Sequence, residues 1–185
     1  MTQVQLSPRW AVDARTSVQL DASVDEVWAV MQRFDRFIAA DPYHTRATDT
    51  QGHRLDTLPP RGTAMHIGHG IGFTWFDRVG TLVRVVPDKA IAFTDRSKRG
   101  PNLGFPHLYH YTLTPLNEQT CELALAVRGR WSARWMPRSV VRAWLVWVLV
   151  QARWSLRMHT TYEINRDRKF QRANVRTPQR KVAPK

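Results

Sequence analysis

Cysteine is almost absent. Cys121 stands alone, which excludes an internal disulfide and makes a reducing, cytoplasmic compartment the expected setting. Long apolar runs are also missing. The longest, Ala143 to Val150, has eight residues, against the roughly 20 that a bilayer span needs. Arg142, Arg153 and Arg157 frame it, and each would cost about 2.5–3.5 kcal/mol at the centre of a membrane helix. No charged-then-apolar leader opens the chain: Met1 to Asp13 is mixed and contains Pro8, so no secretory signal is expected. There is no repeat, no nucleophile elbow and no dinucleotide fingerprint. Gly68-His69-Gly70-Ile71-Gly72 precedes a strand rather than a helix, so it reads as a flexible hairpin or lid and not as a phosphate loop. Acids are missing from the whole interval between Glu122 and Glu163, which carries seven Arg.

What the chain has in excess is positive charge and tryptophan. The net charge is +13, and about half of the excess lies in residues 166–185, where eight Lys/Arg face one acid, Asp167. That segment is expected to lack regular structure, either as a solubilising end or as an electrostatic tether to anionic lipid or nucleic acid. No nucleic-acid motif accompanies the charge, so no specific nucleic-acid partner is expected. A hydrophobic content of 43% and eight Trp argue against global disorder, and 185 residues suit one domain. We place that domain at 1–165 and the basic tail at 166–185.

Val140 to Met158 contains no Gly or Pro and begins shortly after Pro137, which suits a first helical turn. It predicts one helix continuing to about Glu163. Val141, Leu145, Val148, Ala152 and Leu156 follow the spacing of a buried stripe, and Trp144, Trp147, Gln151, Trp154 and Met158 form a second beside it. One stripe can pack on a sheet of the same chain. The other needs a second cover: a ligand, a partner subunit (a homodimer through this helix), or peripheral contact with an anionic membrane.

Upstream, Ala14 to Asp21 reads as a strand. Ser23-Val24-Asp25-Glu26 is a capping box opening a short amphipathic helix, and a second short turn ends before Asp41-Pro42. From Tyr43 to Trp131 the period is two, with strands near 43–49, 63–70, 73–86, 90–98, 106–114 and 120–131, joined by short turns that imply antiparallel pairing.

The run Val18-Gln19-Leu20-Asp21-Ala22-Ser23-Val24-Asp25-Glu26-Val27-Trp28-Ala29-Val30-Met31, with Phe34-Asp35-Arg36-Phe37 and Pro42 after it, resembles the opening strand and helix start of the SRPBCC superfamily. This is the helix-grip fold of START-type lipid-binding domains, polyketide cyclases and pollen-allergen-like proteins. The resemblance implies an α+β fold: a curved antiparallel sheet of about seven strands gripping a long C-terminal helix, two short helices after the first strand, and a hydrophobic cavity between sheet and helix. The fold hosts carriers and enzymes alike, so it does not fix function.

Alternation places Phe73, Trp75, Asp77, Val79, Thr81, Val83 and Val85 on one face of their strand, Ile91, Phe93 and Asp95 on the next, then His107, Tyr109, Tyr111 and Leu113, and finally Cys121, Leu123, Leu125, Val127 and Trp131. The expected ligand lining is Phe73, Trp75, Asp77, Phe93, Tyr109, Tyr111 and Leu125, with Trp144, Val148 and Trp154 from the helix. Such faces also simply fill cores. Asp95 falls roughly opposite His107, a carboxylate–imidazole pair usable in acid–base catalysis and equally a way of satisfying buried polar groups. His66/His69 and His107/His110 are spaced three apart; on strands such pairs point to opposite faces, so neither chelates one ion, and no metal or other cofactor is expected. Three functions remain open: binding or transport of a hydrophobic small molecule, lipid or polyketide-like; a polyketide cyclase or dehydratase in the same cavity; or a module docking on a membrane or partner through the Trp-rich helix and basic tail. The first is the leading expectation.

Overall fold

The computed structural model describes residues 2–71, 74–100 and 105–176. The elements are β1 (Thr2–Leu6), β2 (Ala11–Leu20), α1 (Val24–Gln32), α2 (Phe34–Ile38), β3 (His44–Thr48), β4 (Ala64–Ile71), β5 (Thr74–Val86), β6 (Ala90–Ser97), β7 (His107–Asn117), β8 (Thr120–Arg130) and α3 (Arg138–Arg176). One antiparallel sheet has the order β1-β2-β8-β7-β6-β5-β4-β3. The meander from β3 to β8 makes most of it, β2 closes on β8, and α1 with α2 carries the chain from β2 to the opposite edge. The sheet curves around α3 in a helix grip.

The sheet has eight strands rather than about seven. The additional one is β1, whose Val4 is buried; Thr2 to Leu6 alternates but is short and is followed by the Pro8 turn, where Trp10 takes a left-handed φ of 62°. α1 starts as a capping box: Ser23 Oγ accepts from the Glu26 amide at 3.3 Å, and the Glu26 carboxylate accepts from the Ser23 amide at 3.0 Å. α2 is pinned by the buried Asp35, whose Oδ1 accepts from the Ala47 amide at 2.6 Å.

Alternation works cleanly where one phase is apolar. In β2 the residues facing α3 are Val12, Ala14, Thr16, Val18 and Leu20, and in β8 Cys121, Leu123, Leu125 and Val127. Phe93 and Tyr111 bury fully against Phe34 and Phe37, with Phe37 edge-on to Tyr111 at 4.9 Å. On α3 the buried stripe is Val141, Leu145, Leu149, Ala152, Leu156 and Thr160, so Leu149 takes the deepest position expected of Val148.

Two expectations need correction. In β5 the phase is reversed up to Leu82: Arg78 and Leu82 face inward, while Trp75 is 69% exposed and Asp77 meets Arg46 and Lys98 on the outer surface. A register shift between Leu82 and Arg84 then brings Val85 back against the core. Apolar and aromatic residues occupy both phases of this strand, so the pattern alone does not choose between them. The charge does: Arg78 is buried because Asp95 is. The second correction concerns the tail. α3 runs to Arg176, well past the boundary drawn at 165. Its extension is tied to α1 and the turn after it, with Arg168 forked onto Glu26 at 2.7 and 2.8 Å and Asp167 onto Arg33 at 2.7 and 3.0 Å. Residues 177–185 lie outside the described residues. No helix among the described residues is long and apolar enough to cross a membrane.

Candidate functional site

Between the sheet and α3 lies a cavity of about 210 Å³. Its walls are mostly apolar: Leu125 and Val127 from β8, Leu145, Val148 and Leu149 from α3, and the pair Trp131–Trp144, packed edge to face at 5.4 Å. Tyr43 stands at the rim, 6.1 Å from the ring of Trp147. One end is polar, where Asp41, His69, Arg78, His107 and Tyr109 reach the wall.

Behind that end is a cluster assembled from five consecutive strands: His44 of β3, His69 of β4, Arg78 of β5, Asp95 of β6 and His107 of β7. Asp95 is its centre and is fully buried. Arg78 Nε donates to Asp95 Oδ1, and its Nη2 donates to the main-chain oxygens of Asp95 at 3.2 Å and Phe105 at 2.8 Å. The other carboxylate oxygen, Oδ2, is ringed by imidazole nitrogens: Nε2 of His69 at 2.9 Å, of His107 at 3.6 Å and of His44 at 3.8 Å. Each ring turns its Nδ1 toward another oxygen: Asp41 Oδ2 for His44 at 3.5 Å, the Ile67 carbonyl for His69 at 3.3 Å, and the Phe105 carbonyl for His107 at 2.5 Å.

The electrostatics follow from burial and these neighbours. Burial opposes ionisation of Asp95, but His107 together with the contacts to His44 and His69 holds its carboxyl well below the usual range. Burial lowers His107 to about 4, so its ring is neutral near pH 7. For His44, burial is outweighed by Asp41 and Asp95, and its pKa is raised. Burial, reinforced by Asp41 and Asp95, pushes Tyr109 well up and keeps it a phenol.

The expected site residues divide into five groups. Asp95 and His107 pair directly across β6 and β7, although both ring nitrogens of His107 face protein oxygens. Tyr109, Leu125, Trp144 and Val148 line the cavity. Phe93 and Tyr111 sit deeper, in the core. Trp75 and Asp77 point outward, Trp154 is 65% exposed on the far side of α3, and Phe73 lies outside the described residues. His44, His69 and Arg78 were missed. Treating each His-x-x-His pair separately was correct about opposite faces, but the fold gathers one member of each pair, His69 and His107, with His44.

No protein-family model matches the sequence, and no curated sequence matches it either. The fold is shared with solved structures at low identity. The Zhui aromatase/cyclase from a Streptomyces species superposes with a TM-score of 0.63 at 12% identity, covering 84% of this chain and 94% of that one. One half of the di-domain aromatase/cyclase StfQ of the steffimycin biosynthetic pathway gives 0.66 at 14%, covering 87% of this chain and 53% of that one. A START superfamily protein from Mycobacterium smegmatis gives 0.59 at 11%, covering 83% and 97%. Gripped helix, strand order and these superpositions agree: the chain has the helix-grip fold seen in these structures.

Proposed function

We propose that this protein binds a hydrophobic small molecule, lipid or polyketide-like, in the cavity between the sheet and α3. The observation that carries this reading is an apolar-walled space of about 210 Å³ with polar groups gathered at one end, the usual design of a small-molecule site. A dry apolar cavity of about 150 Å³ holds a benzene ring, so this one suits a small ring system or the end of a longer chain. The Tyr109 phenol and Arg78 would set the orientation of a guest bearing an oxygen. Native mass spectrometry of the protein as purified, and of delipidated protein offered apolar fluorescent probes, tests it. Saturable uptake that is lost in Val148→Trp, which fills the space, supports binding. No co-purifying molecule and no saturable uptake would remove the reading.

An enzymatic use of the same cavity, a polyketide cyclisation or dehydration, is the second reading, motivated by the polar end and by the fold shared with two aromatase/cyclases. It requires turnover of a poly-β-ketone substrate that Tyr109→Phe slows without loss of binding. A third reading concerns the outer face of α3. Trp147, Trp154, Met158 and Tyr162 are exposed there, among Arg142, Arg153 and Arg157, a combination suited to the interface of an anionic membrane. Co-sedimentation with phosphatidylserine vesicles that falls with salt and with Trp147→Ala/Trp154→Ala supports docking; equal binding to neutral vesicles argues against it.

A further inference from the structure

We propose that His44, His69, His107 and Asp95 form a binding site for one divalent transition-metal ion, zinc by preference, at the polar end of the cavity. This stands apart from the identity of any guest, because every proposed ligand comes from the protein.

Convergence is the first observation. Donor atoms of His44, His69 and Asp95 lie within 4.8 Å of one another, and all three residues are buried. His107 stands outside that trio but brings its Nε2 to 3.6 Å from the same Asp95 oxygen, with its side chain 7% exposed. Metal–nitrogen and metal–oxygen bonds of about 2.0–2.2 Å put the donors of a tetrahedral ion roughly 3.3–3.6 Å apart. The Nε2-to-Oδ2 separations of 2.9, 3.6 and 3.8 Å bracket that spacing.

The second observation is the orientation of the rings. Nδ1 of His69 and of His107 bonds a main-chain carbonyl, whereas His44 Nδ1 lies 3.5 Å from Asp41 Oδ2 without a hydrogen bond; every Nε2 faces Asp95. In His69 and His107 an Nδ1–H given to that carbonyl is the tautomer that leaves a lone pair on Nε2, the outer-shell arrangement found behind metal-ligating histidines. The third is an unmet need. His44 Nε2, His107 Nε2 and Asp95 Oδ2 are buried without hydrogen-bond partners. Lone pairs meeting lone pairs in an apolar interior are unfavourable unless a cation lies among them.

Arg78 does not occupy the position. It binds Oδ1 and the main chain, leaving Oδ2 to act as a monodentate ligand. Three imidazoles and a carboxylate match zinc in type and number, with cobalt and iron able to share the set. Since His69 and His107 reach the cavity wall, the ion would lie beside any guest.

The test uses untagged, chelator-stripped full-length protein titrated with Co²⁺ as an optical probe and then with Zn²⁺. Expected are one equivalent of Co²⁺, intense visible bands of a four-coordinate ion, and their loss on adding Zn²⁺. His69→Ala and His107→Ala should each weaken Co²⁺ binding by roughly 100-fold or more, above the 10–100-fold typical of outer-shell changes. His66→Ala and His110→Ala, on the same strands but outside the cluster, should bind as the parent does. No stoichiometric uptake, faint six-coordinate bands, or equal binding by the cluster variants overturns the site. If a cluster variant fails to fold by circular dichroism, the parent's Co²⁺ spectrum decides: intense bands support the site and faint ones refute it.

Discussion

Arg78 offers a direct measure of what holds the polar cluster together. Arg78→Met keeps most of the side chain's volume, so the cavity penalty is small and the loss is electrostatic. It removes three donors, one from Asp95 Oδ1 and two from main-chain oxygens, and leaves a fully buried carboxylate without its guanidinium. Breaking one side of a buried pair costs about 3–5 kcal/mol. We expect the lower end, about 3 kcal/mol. Against a total of roughly 5–15 kcal/mol for a domain this is a large fraction. Urea unfolding followed by tryptophan emission measures it, with EDTA present to exclude any contribution from bound metal. The double variant Arg78→Met/Asp95→Leu replaces the pair by apolar side chains and should recover part of the loss, because the stranded charge goes with its partner. A single variant within about 1 kcal/mol of the parent, or a double variant less stable than the single, would refute the reasoning.

Three other outcomes follow from local geometry. Gly129→Ala would set a Cβ 2.4 Å from the Pro106 carbonyl oxygen and 2.6 Å from the Cβ of its cross-strand neighbour His107; since backbone cannot yield cheaply, a loss of about 1–3 kcal/mol is expected in a denaturant titration. Ser23→Ala removes the cap of α1 and should lower stability by about 1 kcal/mol, read as a fall in calorimetric melting temperature. The Arg168 contact, helped by the Ser23 amide, holds the Glu26 carboxyl below its ordinary 4.5 against the opposing effect of burial. A depressed carboxyl contributes stability above its unfolded value, and the contribution is lost as pH falls through the folded one. Solvent screening keeps it small at this half-buried pair. Glu26→Gln should therefore flatten the decline in stability below about pH 4.5, and an unchanged acid limb would count against the pair.

The parts legible in the sequence are those where local chemistry and periodicity agree. Ser23 and Glu26 announce α1 in four residues, and the facing residues of β6, β7 and β8 emerge from alternation because their inward phase carries the bulky apolar and aromatic side chains. The pairing of Asp95 with His107 followed from keeping apolar faces together. β5 was not legible, because aromatic and aliphatic residues occupy both phases and the deciding residue, Arg78, looks like a surface charge until Asp95 is known to lack a counterion. The continuation of α3 was hidden for a related reason. A run of Arg and Lys reads as a solvated end, yet Arg168 and Asp167 are placed by Glu26 and Arg33, more than a hundred residues away in the chain.

The polar cluster shows the same limit at the level of function. A helix can display two ligands four residues apart and so write a metal motif into a short string. A strand can do so only with residues two apart on one face, and where each strand gives a single ligand the meander must supply the rest from adjacent strands. Here β3, β4, β5, β6 and β7 each contribute one charged or imidazole side chain to the cluster. Taken strand by strand, each resembles an isolated buried polar group needing satisfaction. Only the register makes them neighbours. A signal was nevertheless present: an inward Asp95 and an inward His107 already demanded a counterion, and the strands that could supply one are those beside them in the meander. Searching sheets for one inward titratable residue per consecutive strand, rather than for spaced pairs within a strand, is the pattern that would have found His44, His69 and Arg78.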